Sequence, residues 1–286
     1  ISSIKHNEFG ETLVTKNIFL CLLFCILMIH LSGCERKTSI ELEPYLSPPG
    51  HQQSDWNVVP GSGFQIQFAG DIDLSVDAAV FELDAFETPA TMVEQLHLDG
   101  KSTICYINAG ALEDWRPDAG QFPESILGKP YAGWPGESWL DIRQLDVWMP
   151  IMEARLDVCL TKSFDAVEFD NVDGWQNETG FKISSQDQLA FNKALAEAAH
   201  ARGLAAGLKN DADHMAELED WFDFALVESC FSQGWCDQTK PFLDAGKAVF
   251  VIEYVPIEAY CQESKAASIT LIQKNLRLDA WRKLCQ

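Results

Sequence analysis

Cations are scarce in this 286-residue chain: 21 Lys and Arg stand against 43 Asp and Glu, a formal net charge of −22. A field of that sign repels phosphate backbones, which excludes nucleic acid as a partner and favours polycations. Metal-ligand spacing is missing as well. With no Cys-x-x-Cys or Cys/His cluster for zinc and no EF-hand-like run of acids for calcium, neither a metal nor a cofactor is expected. No glycine-rich loop follows the first predicted strand, which argues against a nucleotide-binding sheet. Internal repeats and low-complexity tracts are absent too. What remains, 47% hydrophobic residues with 18 Gly and 12 Pro, is the composition of a globular protein able to bury a full core.

One long apolar run exists, Ile18–Ile29, behind Lys5 and Lys16. It is short for a membrane span and fits the hydrophobic region of a signal peptide. It leads into Leu31-Ser32-Gly33-Cys34, which resembles a bacterial lipobox. Residues 1–33 are therefore expected to be a lipoprotein-type signal peptide, with Cys34 lipidated and the protein held at a bacterial cell envelope or secreted. Residues 34–55, mixing charge, Pro and Ser without periodicity, read as a flexible tether, and 56–286 as one domain. The six Cys beyond Cys34 permit disulfides in an exported chain. Cys230 and Cys236 are the first expected pair and Cys261 with Cys285 a second, while Cys105, in an apolar strand, reads as a buried thiol.

From Trp56 onward strand and helix signals alternate. Strands are expected at Phe64–Phe68, Val80–Leu83, Thr103–Asn108, Trp139–Ile142, Ala166–Phe169, Ala205–Leu208, Ala225–Val227 and Ala248–Tyr254. Helices are expected at Ser185–Arg202, ended by Gly203, and at Ala212–Phe222 and Ala266–Leu284. Eight strands alternating with helices point to a single (β/α)8 TIM barrel, with an open doubly wound sheet as the competitor.

Each predicted strand runs into polar residues, and in a (β/α)8 barrel the C-terminal strand ends ring the active site. In chain order these residues include Asp71 and Asp73; Asp84; Tyr106 and Asn108; Asp141 and Arg143; Glu168, Asp170, Asn171 and Asp173; Lys209, Asn210 and Asp211; Glu228; Glu253 and Tyr254. Asp170 and Glu228 each follow an apolar strand. Two such carboxylates across a cleft can cleave a glycosidic bond, one as acid and the other as nucleophile or base. Alternatively, Asp170 caps a helix and Glu228 sits in a rim salt bridge. Asp71, Asp84, Tyr106, Asp141, Arg143, Asn171, Asp173, Lys209, Asn210, Glu253 and Tyr254 are then candidate substrate-binding residues. Trp115, Trp134, Trp139, Trp175 and Trp235 fall in or beside the same loops, where rings can stack on sugars, although at least two are expected to be core. The Gly/Pro-rich stretch 128–136 could form one wall. So acidic a cleft suits a cationic amino sugar.

Several segments together are similar to a known family: Cys105-Tyr-Ile-Asn-Ala-Gly110, Glu113-Asp-Trp-Arg-Pro-Asp118, Trp139-Leu-Asp-Ile-Arg143, Phe164–Gly174 with its Glu-Phe-Asp-Asn core, Ala199–Asp211, and Val227-Glu-Ser-Cys230. In this order they resemble the endo-α-1,4-polygalactosaminidases of glycoside hydrolase family 114, over residues 56–256. The resemblance implies a (β/α)8 barrel that cleaves within galactosamine-rich polymers. Its catalytic carboxylates correspond to Asp170 and Glu228. Ser229 stands where the family usually has a second acid. The implied partner is a cationic galactosamine-containing polysaccharide, with a monomer as the default. The competing expectations are a non-catalytic surface lipoprotein that captures such polymers and a same-fold glycosidase for another α-linked, N-acetylated glycan.

Overall fold

Strands recur in chain order through residues 56–285, the part described by the computed structural model. They are β1 (Phe64–Ile66), β2 (Val80–Asp84), β3 (Ser102–Asn108), β4 (Ala111–Glu113), β5 (Leu127–Pro130), β6 (Glu137–Leu140), β7 (Ala166–Asp170), β8 (Ala205–Lys209), β9 (Phe224–Glu228), β10 (Ala248–Glu253), β11 (Thr270–Gln273) and β12 (Lys283–Leu284). The signal peptide, Cys34 and tether expected from the sequence lie outside the described residues. Nine strands form one sheet in the order β1-β2-β3-β7-β8-β9-β10-β11-β12, parallel throughout except for the β11–β12 pair. The helices are α1 (Ala90–Leu98), α2 (Leu145–Thr161), α3 (Ser185–His200), α4 (Met215–Leu218), α5 (Cys230–Gln233), α6 (Lys240–Asp244) and α7 (Cys261–Ala266). Among the described residues, no helix is long and apolar enough to cross a membrane.

Period-two alternation sorts the side chains into two layers. Phe64, Val80, Ile104, Ala166, Ala205, Phe224, Phe250 and Ile272 pack together on one face. The residues between them, such as Phe81, Cys105, Val167, Phe169 and Val249, pack on the other with the helices. Phe64 of the first strand stacks on Phe250 of the seventh parallel strand with centroids 4.4 Å apart, so the sheet is curled. This is a TIM-barrel-like curl with reduced helices. Its best-formed helix, α3, carries a Ser184/Asp187 capping box and stops just before Gly203, whose φ is +76°.

Four sequence expectations need correction. Trp139–Ile142 does not supply a barrel strand, because Glu137–Leu140 forms the middle of a separate antiparallel sheet, β4-β6-β5, inserted between β3 and α2. The eighth parallel strand is β11, inside the stretch 266–284 that periodicity marks as helix. Residues 212–222 form 3₁₀ turns around the four-residue α4 rather than one helix. Finally, Cys105 is not a free thiol. It is joined to Cys159, beside the disulfides Cys230–Cys236 and Cys261–Cys285.

The seam between β1 and β11 is filled by the C-terminal segment. The amides of Phe68 and Ala69 donate to the Leu278 carbonyl, and Gln65 Nε2 donates to that of Ala280 at 3.0 Å. Buried Lys274 reaches Gln65 Oε1, and Arg282 donates to the carbonyls of Phe64 and Asp77.

Candidate active site

Parity decides which strand-end residues reach the inside of the curl. On β7, Ala166, Glu168 and Asp170 share the inner face; on β8, Ala205, Gly207 and Lys209; on β9, Phe224, Leu226 and Glu228. A Cβ on Gly207 would lie 2.3 Å from the Phe224 ring, so only glycine fits beneath Lys209. Directly after these strands the backbone turns through left-handed conformations at non-glycine residues: Asn171 at φ +62°, Asn210 at +46°, Asp211 at +51° and Ser229 at +59°. Such conformations cost energy and cluster at functional sites.

The inner strand ends open into a cleft of about 340 Å³. Lys209 is its hub. The ammonium lies 3.0 Å from Asp170, 3.5 Å from Glu168 and 3.8 Å from Glu228, with its side chain 7% exposed. Burial works against its charge, but Asp170, Glu228, Glu168 and Glu82 outweigh it and hold the lysine well above its usual range. Asp170 accepts from Tyr106 Oη at 3.0 Å, from Lys209 and from the Asn171 amide at 2.8 Å. Glu228 accepts from the Tyr254 hydroxyl, and its own amide donates to Asn210 Oδ1 at 3.0 Å. The two carboxylates therefore face the cleft on one shared cation.

Below them lie Glu82 and Glu168, buried side by side. Among the described residues no N–H or O–H donor makes a hydrogen bond with any of their four carboxyl oxygens, and the Lys209 ammonium, 3.5 Å from Glu168, is the charge that faces them. Burial, reinforced by the charge of Glu168, pushes Glu82 far up; burial, partly offset by Lys209, lifts Glu168 to about 8. An acid whose folded-state value is raised favours the native state below its unfolded value of 4.5, and that advantage is lost as the pH rises through about 8. The melting temperature is thus expected to fall between pH 5 and pH 9, and Glu168→Gln to flatten that fall. Equal slopes in the two proteins would place the titration elsewhere.

The other candidates divide. Asp84, Tyr106, Asn171, Asp173, Asn210 and Tyr254 line the cleft. Burial, with the nearby Asp211 and Asp170, raises Asp173 to about 6. Glu253 does not line it. One residue before Tyr254, it faces outward and caps α5, accepting from the amides of Phe231 and Ser232. Asp141 and Arg143 pair with each other at 2.7 Å at the end of the inserted sheet, away from the cleft lining. Asp71 is also outside the lining; its backbone carbonyl accepts from Gln67. Of the tryptophans, Trp115 and Trp134 line the cleft about half exposed. Trp235 lines an adjoining hollow that shares Asp173, Asn210, Glu228 and Tyr254 with the cleft. Trp139 is core, and Trp175 stacks on His214.

The expected wall at 128–136 contributes Tyr131 and Trp134, but sequence reasoning missed other lining residues: Glu113, Arg116 and Glu137 from the insertion, and Leu276, Arg277 and Leu278 from the C-terminal segment. A signal existed for Glu113 and Arg116, opposite charges three residues apart, which the turn after β4 brings into an ion pair at 2.7 Å.

Comparison with known proteins bears on the family and the fold. Residues 47–286 match the model of glycoside-hydrolase family GH114. The chain is 34% identical to Ega3 from Aspergillus fumigatus, solved in complex with galactosamine, over 83% of this chain and 100% of that one, with a TM-score of 0.76. The glycoside hydrolase domain of PelA from Pseudomonas aeruginosa, at 14% identity, shares the fold over 78% of this chain and 98% of that one, with a TM-score of 0.63. No curated protein sequence matches. A match over most of the chain, joined to strand-end carboxylates in a cleft of this architecture, makes the protein a glycoside hydrolase of family GH114.

Proposed function

We propose that the protein hydrolyses internal α-1,4 linkages of a galactosamine-rich polysaccharide, with Asp170 as nucleophile and Glu228 as acid/base. The observation that carries this reading is the pair of strand-end carboxylates gathered on Lys209 inside an acid-lined cleft. Asp170 is met by three donors, the environment of an anion ready to attack the anomeric carbon. Glu228 is met by one hydroxyl and lies farther from the lysine, which suits a group that gives its proton to the leaving oxygen and takes one back from water. The reaction proceeds through a covalent glycosyl-enzyme and retains configuration.

Trp115 and Trp134 offer ring faces to the sugars. The acids lining the cleft favour free amines over acetamides, and galactosamine is the sugar bound in the Ega3 complex. Lys209 is not out of place beside a cationic substrate, because its charge is consumed by the carboxylates around it. In this reading the Leu31–Cys34 lipobox holds the enzyme, as a monomer, at the cell envelope.

The test is incubation with α-1,4-galactosamine oligomers, unacetylated, partly and fully N-acetylated, with products read by mass spectrometry. Internal cleavage of the cationic oligomers is expected. Binding without cleavage of any oligomer would leave a capture protein instead.

A further inference from the structure

We propose that Glu137, carried by the inserted sheet, is the residue that tells a free amine from an acetamide in this cleft. This deepens the galactosamine reading and rests on it.

The argument starts from strand register. In the antiparallel β4–β6 pair, Glu113 stands directly opposite Glu137. Opposed residues of such a pair have neighbouring side chains, and like charges there repel. Glu113 has a counterion: Arg116 grips both its oxygens at 2.7 and 2.8 Å, and the same guanidinium reaches Asp84 at 2.7 Å. That guanidinium is shared between two carboxylates. Arg155, the next cation of the neighbourhood, is held by Asp118 and by the Asn108 carbonyl.

Among the described residues, no cation forms such a pair with Glu137. Its residue is 8% exposed, and its Oε2 accepts a single amide hydrogen bond from Asn108 Nδ2 at 3.2 Å. Among the described residues no donor hydrogen-bonds to Oε1, yet the side chain lines the cleft. A carboxylate on a residue only 8% exposed, lining a ligand cavity and holding a single neutral hydrogen bond, can gain a positive partner from the ligand. Burial, then the charges of Glu113 and Asp170, raise it to about 7, so a cation arriving from solvent is what would hold it ionised.

The surroundings suit an amino sugar. Tyr131, Trp134 and Trp115 line the same cavity. A Cβ on Gly136 would lie 2.9 Å from the Trp115 ring, so the glycine beside Glu137 keeps that ring in place. Asn108, which binds Glu137, also accepts from Asn171, the neighbour of Asp170. The amine-reading carboxyl and the reacting carboxyl are thus joined through two buried amides. A sugar ammonium gives Glu137 a charge-assisted hydrogen bond, whereas an acetamide gives a neutral one and brings a carbonyl oxygen close to the carboxylate.

The test is a calorimetric titration at pH 7.5 in a Glu228→Gln background, which prevents turnover. A galactosamine tetramer and its fully N-acetylated counterpart are titrated into the protein with Glu, Gln or Asp at position 137. With Glu137 the free-amine oligomer should bind about 10- to 100-fold more tightly, the range of a charge-assisted hydrogen bond. Glu137→Gln should remove most of that ratio while leaving the acetylated oligomer's affinity within about twofold, as neutral hydrogen bonds differ little. Glu137→Asp should keep part of the ratio. An unchanged ratio, or equal weakening for both oligomers, would overturn the proposal, the latter by showing a purely structural role. Failure of the protein with Glu228 intact to cleave either oligomer would sink the hydrolase reading alone, because the binding ratio still decides the role of Glu137.

Discussion

Asp170→Asn and Glu228→Gln are each expected to lower hydrolysis of galactosamine oligomers at least about a thousandfold while leaving oligomer binding intact. Both substitutions keep size and one accepting oxygen, which can still take the Asn171 amide in the first variant and the Tyr254 hydroxyl in the second. The two variants should then separate on a substrate with a leaving group that needs no protonation, such as a nitrophenyl glycoside. Glu228→Gln should still form the glycosyl-enzyme and stall there, and added azide should release it as a glycosyl azide. Asp170→Asn should do neither. A glycosyl azide of retained configuration from Asp170→Asn, with Glu228→Gln yielding only the inverted one, would exchange the roles. Full activity in both would remove the pair from the mechanism.

Lys209→Met should be almost as damaging, and for stability as well as rate. Among the described residues the lysine is the one cation within 4 Å of Asp170, Glu168 and Glu228, and Glu82 lies in its field. Methionine fills a similar volume, so the loss is electrostatic rather than a cavity. Removing one partner of a buried ion pair costs about 3–5 kcal/mol, because the remaining charge is uncompensated. The sign of the pH dependence follows. Without the ammonium, Glu82 and Glu168 titrate still higher, and the native state loses more as the pH rises. Thermal melts of the variant should therefore fall furthest below wild type above pH 8, where Glu168 ionises beside the ammonium in wild type and cannot do so in the variant. A gap between the two proteins that does not widen between about pH 7 and pH 9 would show that Lys209 does not set the titration of these acids.

Much of this arrangement is legible in the sequence, and the exceptions share a cause. Ala-Val-Glu-Phe-Asp and Phe-Ala-Leu-Val-Glu announce strands whose last residue is charged, and Asp170 and Glu228 stand at those ends. Glu253 looks equivalent, but it lies one residue out of phase: Tyr254 points inward and Glu253 outward. Alternation supplies a phase only when the strand's inner face is known. Trp-Leu-Asp-Ile reads like another barrel strand because an inserted antiparallel sheet has the same period of two. β11 escapes notice as four residues, Thr-Leu-Ile-Gln, among polar neighbours. Glu137 is the least readable. Its meaning comes from standing opposite Glu113 and from Arg116 being held by Glu113 and Asp84, facts of pairing that no local window contains.

The C-terminal segment that seals the sheet also has a bearing on how the chain acquires its structure. Gln65 and Phe64 meet Ala280 and Arg282 across separations of 215 and 218 residues, close to the greatest that the described chain allows. Contacts so distant form late, because nearly the whole polypeptide must be ordered before the entropy of closing that loop is repaid. As the chain emerges from its N-terminal end, β1 and β2 can pair early, but the outer edge of β1 stays open until the last residues arrive. An open strand edge is a template for wrong partners. The long wait for residues 274–284 is therefore the interval in which this polypeptide is most exposed to misassembly.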